Sequence, residues 1–338
     1  MVANTGTPRA VGIDVSAATL HVAIEDESAG LTFQNNAKGH TALIKVLTSR
    51  RRCARVVLES TSTYHLDISI ALAEHPRCEV MVANARATKH FHEARNVRAK
   101  TDKVDAESLC EFARIMDFVP WPLPKQVALD LRAFSRRLAQ LVKHQTRIKN
   151  QLHAAAASPT TPSLLIEDLE DELAQLVERI ERTQERMLKV AQGDEEINAQ
   201  VERLATLHGV GARTAACLVA EYLFIDLEMT SKQISAWAGL DPRPRESGTS
   251  LKGQRGISKR GNARLRAVLF MPAMTTIRKA GPFKDLYDRV AKASGIKLKG
   301  IVAVMRKLLV VSWAMFRTKT AFNAELTSPR SRREDVAA

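Results

Sequence analysis

Two aspartates three residues apart open a segment whose apolar residues recur at helical intervals. Asp102 and Asp105 precede apolar side chains spaced by three and four residues, which indicates a helix with one buried face. Because residues i and i+3 share a helix face, both carboxylates project from the first turn, where the helix dipole favours negative charge. Thr101 or Asp102 is the predicted N-cap. Such a pair can bind Mg²⁺, although a cap followed by a solvated acidic turn is the better explanation of these two residues taken alone.

Two further carboxylates end short apolar runs earlier in the chain. Asp14 lies in Val11–Ser16 and Glu59 closes Arg55–Glu59, so each is predicted near a strand end. Singly, Asp14 is explained as a turn acid and Glu59 as the cap of the next helix. Together with the helix pair, they follow the order of a ribonuclease-H-like metal nuclease, in which strand acids and a late helix hold two Mg²⁺ ions against a phosphate.

The elements around these acids predict an α/β layer. Three short runs with alternating apolar residues predict an antiparallel meander, with Asp14 facing outward from its first strand. Later strands alternate with helices, which predicts helices covering a sheet. The predicted strands are Val11–Ser16, Leu20–Ile24, Thr32–Gln34, Arg55–Glu59 and Glu79–Ala83, and the predicted helices are Lys38–Leu47, His65–Glu74 and the one that begins near Asp102.

The middle of the chain predicts two long helices. Trp121–Pro124 stiffens a boundary, and apolar residues then recur at three- and four-residue intervals over Leu131–Leu152 and again over Ile166–Val190. Ser158–Pro162 breaks the pattern between them. Sustained repeats of this kind predict a coiled-coil arm. The two helices either pair as a hairpin or dimerise between subunits, and the pattern fits both.

The segment Leu204–Gly211 has the glycine spacing of a helix-hairpin-helix turn. Its glycines permit a tight bend, and the helix predicted over Ala212–Tyr222 then offers free N–H groups to a phosphate. A plain packing turn between two helices explains the same residues equally well. Ile301–Phe316 is apolar but contains Arg306 and Lys307, which predicts a buried helix and no membrane span.

Positive charge is concentrated towards the end of the chain. Leu251–Lys319 contains seventeen Lys and Arg residues against Asp285 and Asp288, a local balance of +15, while the whole chain carries +14. This concentration is the electrostatic footprint of a nucleic-acid surface. A membrane surface is the rival, but no basic amphipathic helix with an aromatic face accompanies the charge.

The cysteine usage and the first residues indicate a compartment. The 4 cysteines are scattered, with no Cys-x-x-Cys pair, which argues against a disulfide framework or a zinc site and for a reducing cytosol. Met1–Ala10 lacks the apolar core of a signal peptide. We therefore expect a cytoplasmic protein with no membrane partner.

A glycine- and arginine-rich stretch over residues 241–262 carries several hydroxyls. Its glycines predict a mobile loop, and Ser258 is the predicted cap of the helix that carries Arg264 and Arg266. Ser247 lies among arginines that can stabilise the charge of a pentavalent phosphorus, a setting that suits a nucleophile. Chemistry alone favours the simpler role, in which the hydroxyls of this stretch bond phosphate oxygens.

Seven short motifs carry a resemblance to a known family. They are Gly12–Ser16, Glu59–Tyr64, Lys100–Ala106, Gly209–Gly211, Ala238–Pro242, Glu246–Ser250 and Ser258–Asn262. In this order they resemble the DEDD-type insertion-sequence transposases, which are bridge-RNA-guided serine recombinases with a RuvC-like domain. The resemblance spans roughly Val11 to Phe316. Ser62 departs from it, because the family has a glycine in the turn after Glu59.

The resemblance implies a DNA recombinase, or transposase, with a composite active site. Ser247 is then the nucleophile that forms a transient phosphoserine link to DNA. The two halves of one site come from different subunits of a homo-oligomer, a dimer or a tetramer, and a non-coding guide RNA pairs with donor and target DNA. The residues that bind Mg²⁺, with two ions expected, are Asp14, Glu59, Asp102 and Asp105.

The predicted architecture is α/β plus all-α. An RNase H-like (RuvC-like) domain covers residues 1–122, a coiled-coil helical arm 123–195, and a basic helical transposase domain with a helix-hairpin-helix-like element 196–322, before a disordered tail at 323–338. The predicted nucleic-acid-binding residues are Arg243, Arg245, Lys252, Arg255, Lys259, Arg260, Arg264 and Arg266.

Two other functions fit the same residues. One is a Holliday-junction or RNA-directed nuclease that uses only the carboxylates and a metal-activated water. The other is a non-catalytic nucleic-acid-binding protein with a helical oligomerisation arm.

Overall fold

The computed structural model describes residues 8–27, 29–49, 52–60, 63–95, 101–247 and 251–323, with the backbone alone at 243–247 and 251–255. The chain divides into two units, Met1–Leu123 and Pro124–Ala338. The first unit is mixed α/β, as predicted, and the second is mostly helical but contains a two-stranded hairpin that the predicted all-α part does not include. The division of the second unit into an arm and a transposase domain stays a prediction, and the predicted tail lies, apart from Asn323, outside the described residues.

The first unit is built on five strands, β1 (Arg9–Val15), β2 (Thr19–Ile24), β3 (Leu31–Gln34), β4 (Ala54–Glu59) and β5 (Cys78–Ala83). The strand order is β3-β2-β1-β4-β5. The first three strands form an antiparallel meander, β4 runs parallel to β1, and β5 runs parallel to β4. The predicted meander is therefore confirmed.

Side-chain alternation gives this sheet two different faces. Ile13 of β1 and Leu58 of β4 point into a core that they share with α1 (Ala37–Leu47) and α2 (Leu66–Ala73). Val57, one position from Leu58, belongs to a separate core shared with α4 (Asp102–Ile115). Between α2 and α4 the chain also forms α3 (Ala85–Ala94), which the sequence pattern did not predict.

Helix α4 lies directly on β1 at Gly12. A Cβ atom at this position would lie 2.1 Å from the carbonyl oxygen of Ala106 and 2.1 Å from the backbone nitrogen of Cys110. Only a residue without a side chain lets the helix backbone approach the strand this closely. The contact fixes the first turn of α4 beside the end of β1.

The second unit is built from eight helices and one hairpin among the described residues. The helices are α5 (Gln126–Ala156), α6 (Ser163–Gln192), α7 (Glu195–Ala205), α8 (Ala212–Tyr222), α9 (Ser231–Trp237), α10 (Ala263–Thr276), α11 (Pro282–Ser294) and α12 (Lys297–Thr318), and the hairpin strands are β6 (Pro242–Ser247) and β7 (Leu251–Ile257). Helices α5 and α6 pack on each other within one chain, as in the predicted hairpin pairing. A coiled coil between subunits stays a prediction.

The predicted buried helix over Ile301–Phe316 is confirmed by α12. Leu308 and Trp313 are buried, and the Trp313 Nε1–H donates to the Met229 carbonyl oxygen at 2.9 Å. Within the described part of the chain, no helix has the length and the apolar character that a membrane crossing requires.

The turn over Leu204–Gly211 packs against α10. Gly209 has φ +84°, and a Cβ atom on it would lie 2.4 Å from the Thr276 hydroxyl oxygen. That hydroxyl donates to the His208 carbonyl oxygen at 2.9 Å. These contacts are those of a packing turn, and phosphate binding by this turn stays a prediction.

Pro242–Ser247 and Leu251–Ile257 pair as antiparallel strands where the sequence pattern predicted a mobile loop. Glycines fit in β7 because ladder hydrogen bonds need no side chain. The N-cap of α10 also differs from the prediction, because it is Asn262 and not Ser258. The Ser258 hydroxyl donates to the Asp241 carboxylate at 2.5 Å, while the Asn262 side-chain oxygen accepts from the Arg264 N–H at 3.0 Å.

Candidate functional site

Asp14 and Glu59 lie side by side at the ends of two parallel strands. In the register of β1 and β4, Ile13 is opposite Leu58, so the two acids occupy the next position on each strand. Because side chains alternate along a strand, both acids belong to the face that α4 covers. Asp14 and Glu59 are each half-buried.

Asp102 and Asp105 lie in the first turn of α4. Thr101 is the N-cap, and its hydroxyl oxygen accepts from the Val104 N–H at 3.3 Å. The side chain of Asp102 is largely exposed and that of Asp105 is about one-third exposed (64% and 30%). The packing of α4 on Gly12 brings this turn to the strand-end acids.

All four acids line one cleft of about 710 Å³. The cleft thus joins residues that are separated by up to 91 positions in the chain. Lys89 also lines it and is the one Lys or Arg side chain among the described lining residues. The cleft therefore carries more negative charge than its own cations can neutralise.

Three of the four carboxylates are held by neighbouring side chains. The buried Thr88 hydroxyl donates to Glu59 Oε2 at 2.7 Å. His21 Nε2 lies 3.3 Å from Asp102 Oδ2, and His92 Nδ1 lies 3.7 Å from Asp105 Oδ1.

These three partners were missed in the sequence. His21 lies opposite Asp14 in the β1–β2 register, so the alternation of β2 was a usable signal for it. Thr88 and His92 lie on α3, which begins after the Asn84 cap. They could not be assigned to the cleft while α3 itself was unpredicted.

The electrostatics of the cleft are centred on Asp14. Burial raises the pKa of this carboxyl, and the nearby Asp102 and Asp105 raise it further, against a smaller opposing effect of His21. An ionised carboxylate is disfavoured there because water is partly excluded and like charges are close. A bound cation would reverse both effects, since it favours the ionised form of each acid.

The donor set fits a hard divalent cation. Among the described residues, no three His, Cys, Asp or Glu side chains are grouped closely enough to hold one ion by themselves. Mg²⁺ does not require such a cage, because it keeps several waters and binds through one or two carboxylates together with substrate phosphate. The carboxylates that would hold it are Asp14, Glu59, Asp102 and Asp105.

Ser247 lies in the second unit, as the last residue of β6. Its backbone is paired with Leu251 at the start of β7, so the serine stands at the turn end of the hairpin. The predicted nucleic-acid-binding residues Arg243, Arg245, Lys252 and Arg255 lie on the same hairpin, where the backbone alone is described.

The other four predicted nucleic-acid-binding residues lie next to the base of the hairpin. Lys259 and Arg260 are exposed. Arg264 lies 3.3 Å from Glu221 through its Nε. Arg266 donates from Nη1 to the Ala238 carbonyl oxygen at 2.8 Å, so part of its binding capacity serves the fold.

Comparison with known protein families gives two matches. A DEDD transposase model of the IS110 type, described as "Transposase", matches residues 11–158, and the model described as "Transposase IS116/IS110/IS902 family" matches residues 201–288. Both are transposase models, which sets the class as DNA-recombining enzymes of insertion sequences. The chain belongs to the IS110-type transposase family.

Several curated proteins are similar over most of the chain. A pilin gene-inverting protein of Moraxella bovis is 25% identical over 324 residues, covering 94% of this chain and 98% of its own length. The putative transposase y4rJ of Sinorhizobium fredii is 30% identical over 269 residues, covering 65% and 67%. The transposase for insertion sequence element IS1111A of Coxiella burnetii is 27% identical over 256 residues, covering 66% and 68%.

Proposed function

We propose that this transposase cuts and rejoins DNA strands with two sets of groups, the carboxylates of the cleft and the hydroxyl of Ser247. The observation that carries the proposal is the convergence of four acids on one cleft, at the ends of β1 and β4 and on α4. The strand order β3-β2-β1-β4-β5 and the position of these acids support the assignment of an RNase H-like, or RuvC-like, domain, and family membership supports it as well.

Two Mg²⁺ ions held by the cleft acids would supply charge neutralisation at a scissile phosphate. Asp14, Glu59, Asp102 and Asp105 bind and orient, and the Thr88 hydroxyl fixes one oxygen of Glu59. The acids by themselves would repel a DNA phosphate, so the carboxylates make sense beside DNA when cations accompany them.

The Ser247 hydroxyl is the proposed nucleophile. Its oxygen loses its proton and forms a bond to phosphorus as the bond to one deoxyribose oxygen breaks, and that oxygen takes up a proton to become a free hydroxyl. This leaves a phosphoserine link. In the reverse sense, a deoxyribose hydroxyl of the joined strand loses its proton and attacks phosphorus, and the serine leaves and is protonated again. The hairpin position of Ser247 supports this role, because a turn end can reach a bound backbone. A relative named for inverting a pilin gene supports a reaction in which DNA ends are rejoined.

Sequence choice is assigned to a non-coding guide RNA that pairs with donor and target DNA. The basic, aromatic-poor composition (aromatic residues 5%) supports a protein that contacts backbones more than base edges. In this proposal the helical arm, residues 123–195, joins subunits of a homo-oligomer whose composite sites combine acids and serine from different chains. Residues 196–322 carry the nucleic-acid-binding surface.

The decisive experiment is a covalent-adduct assay. The protein is purified with its bound nucleic acid, which is sequenced to define the RNA and the DNA substrate. Ser247→Ala is expected to abolish the denaturation-resistant protein–DNA adduct while RNA binding is retained. Ser250→Ala is the matched control and should keep the adduct.

Three outcomes would contradict the proposal, two of them through the serine and one through the carboxylates. Persistence of the adduct in Ser247→Ala would remove the nucleophile. Hydrolysis products with no adduct in the unmodified protein would favour the nuclease that uses a metal-activated water. Retention of all activity in Asp102→Asn would favour a non-catalytic nucleic-acid-binding protein.

A further inference from the structure

Three arginines gather around one buried glutamate in the second unit. Arg132 and Arg136 lie one turn apart on α5, and Arg264 lies in the first turn of α10. Glu221 of α8 is 2% exposed. Electrostatic effects on the pKa values of Arg132 and Arg136 come from both Arg264 and Glu221, so the four groups belong to one cluster.

Both carboxylate oxygens of Glu221 already have partners within this cluster. Its Oε1 lies 3.3 Å from Arg264 Nε, and its Oε2 accepts from Asn262 Nδ2 at 2.7 Å. One carboxylate thus faces three guanidinium groups. The cluster carries two positive charges more than it can neutralise.

Arg132 and Arg136 have buried donors that the fold leaves without an acceptor. The Nε atom of each is buried and has no hydrogen-bond partner within the described part of the chain. A buried donor without a partner costs about 1–3 kcal/mol, and more when the group is charged. A fold gains nothing from two such donors unless something else binds them.

The geometry holds the guanidinium of Arg132 in place. Its Cζ lies 4.1 Å from the ring centroid of Phe224, and a stacked guanidinium keeps its N–H edge free for an acceptor. Burial, aided by Arg136, lowers the pKa of Arg132 to about 10. Arg132 therefore remains charged at neutral pH.

The cluster adjoins a pocket that provides access. Glu221 and Arg264 line a pocket of about 300 Å³ between α5, α8 and α10, together with Arg213. The side chain of Arg264 is 47% exposed. A ligand can therefore reach Arg264, at the edge of the cluster, without unfolding the protein.

We propose that Arg132, Arg136 and Arg264 form a binding site for a backbone phosphodiester of nucleic acid. Guanidinium groups bind phosphate oxygens through pairs of charge-assisted hydrogen bonds, and one phosphate would satisfy donors that the fold leaves unpaired. Glu221 and Asn262 act as positioning residues that hold Arg264. The phosphodiester as ligand rests on the proposed function, whereas the anion site itself does not.

The site is connected to the hairpin that carries Ser247. Asn262 starts α10 a few residues after β7 ends, and its N–H donates to the Trp237 carbonyl oxygen at 2.9 Å. At the base of the hairpin, the Ser258 N–H donates to the Asp241 carbonyl oxygen at 2.9 Å. A phosphate bound by Arg264 would therefore be held by α10, the helix that directly follows the hairpin.

The test starts with inorganic phosphate as the probe. The melting temperature is measured in phosphate and in chloride at equal ionic strength for the unmodified protein, for Arg136→Gln and for the double variant Arg132→Gln/Arg136→Gln. Arg137→Gln is the matched control, because Arg137 is the exposed neighbour on the same helix. Phosphate should stabilise the unmodified protein and the control, and should lose that effect in both variants.

The melting temperature in chloride separates a binding role from a structural one. Without an anion, removal of one of several repelling cations should raise the melting temperature or leave it unchanged. A structural ion pair predicts a fall instead. Equal phosphate stabilisation in Arg136→Gln and Arg137→Gln would overturn the proposal, and Arg136→Gln decides the matter if the double variant fails to fold, because Arg136 is not stacked on Phe224.

Oligonucleotides then test the source of the phosphate. Affinity for a DNA duplex and for the co-purified RNA is measured at several salt concentrations. Loss of one phosphate contact lowers the salt slope by about 0.9 on duplex DNA and about 0.7 on a single strand, and the polymer that shows the change is the ligand. Unchanged slopes on both polymers would overturn the nucleic-acid assignment. Loss of adduct in Ser247→Ala would be unaffected by either outcome, so the two proposals fail separately.

Discussion

The acid cleft of the first unit and the arginine cluster of the second are opposite in charge but alike in construction. In the cleft, five carboxylates, which are those of Asp14, Glu59, Glu93, Asp102 and Asp105, face one lysine, Lys89. In the cluster, three guanidinium groups face one carboxylate, Glu221. Each region brings like charges together in a partly buried place, where their repulsion is least screened. Such arrangements lower the stability of the free protein, so each indicates a ligand of opposite charge.

The difference between the two regions lies in how tightly each is fixed. In the cleft, Asp102 is mostly exposed, so water and substrate would complete the ligands of a bound ion. In the cluster, Arg132 is stacked on Phe224 and Glu221 is buried. A small hydrated cation needs adjustable carboxylates, whereas a phosphate group is recognised by guanidinium groups in a fixed orientation. The exposed carboxylate of Asp102 therefore suits a hydrated cation, and the fixed guanidinium groups of the cluster suit a phosphate.

Asp14→Asn should have the largest effect on the activity of the acid cleft. We expect a loss of metal-dependent DNA cleavage of at least about 100-fold, since even changes around metal ligands cost about 10–100-fold. The same variant should melt a few degrees higher in the absence of metal. The measurements are adduct formation at saturating Mg²⁺ and melting with a chelator.

The pH dependence of that stability gain follows from the raised pKa of Asp14. Because folding raises this pKa, the folded state is favoured when the carboxyl is protonated, and that contribution is lost as pH rises through the folded-state pKa. The gain in Asp14→Asn should therefore be present at neutral pH and vanish below about pH 3.9, the value of a free aspartate. Asp117→Asn, an exposed control, should show no gain. A lower melting temperature for Asp14→Asn at neutral pH would contradict the electrostatic account.

Gly12→Ala should push α4, which carries Asp102 and Asp105, away from the strand ends that carry Asp14 and Glu59. The added methyl group meets backbone atoms of α4 at 2.1 Å, and backbone cannot move aside as a flexible side chain can. We expect a loss of about 1–3 kcal/mol in the free energy of unfolding, measured by urea denaturation, together with weaker Mg²⁺ stabilisation. Gly30→Ala is the control, because its new methyl group would meet the Lys103 side chain at an ordinary 3.6 Å. Equal stability of the two variants would show that α4 does not depend on Gly12.

Most of the first unit could be predicted from its sequence because each element has a strong local signal. The alternation in β2 and the buried runs of β1 and β4 identified the sheet, and strand ends placed Asp14 and Glu59 together. Helix α3 was missed because its polar residues offer little apolar periodicity, with Thr88 its one buried residue. The partners on that helix were missed with it.

The second unit was predictable in its helices but not in its charged cluster. The 3–4 spacing identified α5 and α6, yet nothing in that spacing indicates that Arg132 and Arg136 are turned towards Glu221, which lies 85 positions after Arg136. The hairpin was read as a loop because its glycines and prolines mask the pairing of β6 with β7. Long-range charge clusters of this kind arise from packing and have no local signature.

Thr88→Val should have the smallest effect, and it tests whether the position of the Glu59 carboxylate affects Mg²⁺ binding. The variant keeps the shape of the side chain but removes the hydroxyl that donates to Glu59 at 2.7 Å. If fixation of the carboxylate matters, the Mg²⁺ concentration needed for half-maximal cleavage should rise about 10-fold, as for other groups that orient metal ligands. The maximal rate at saturating Mg²⁺ should change less.

The control for this variant is Thr41→Val, because the Thr41 hydroxyl also lies on a helix and donates to the carbonyl oxygen four residues earlier, that of Ala37 at 2.9 Å, but touches no acid of the cleft. Thr88 is buried whereas Thr41 is exposed, so Thr88→Val should lose more stability, and Mg²⁺ requirements are compared under conditions in which both variants are fully folded. If both variants need the same Mg²⁺ concentration, the hydrogen bond from Thr88 does not hold Glu59 in the position that metal binding requires. The contrast with the fixed arginine cluster would then be even stronger than the hydrogen bonds indicate.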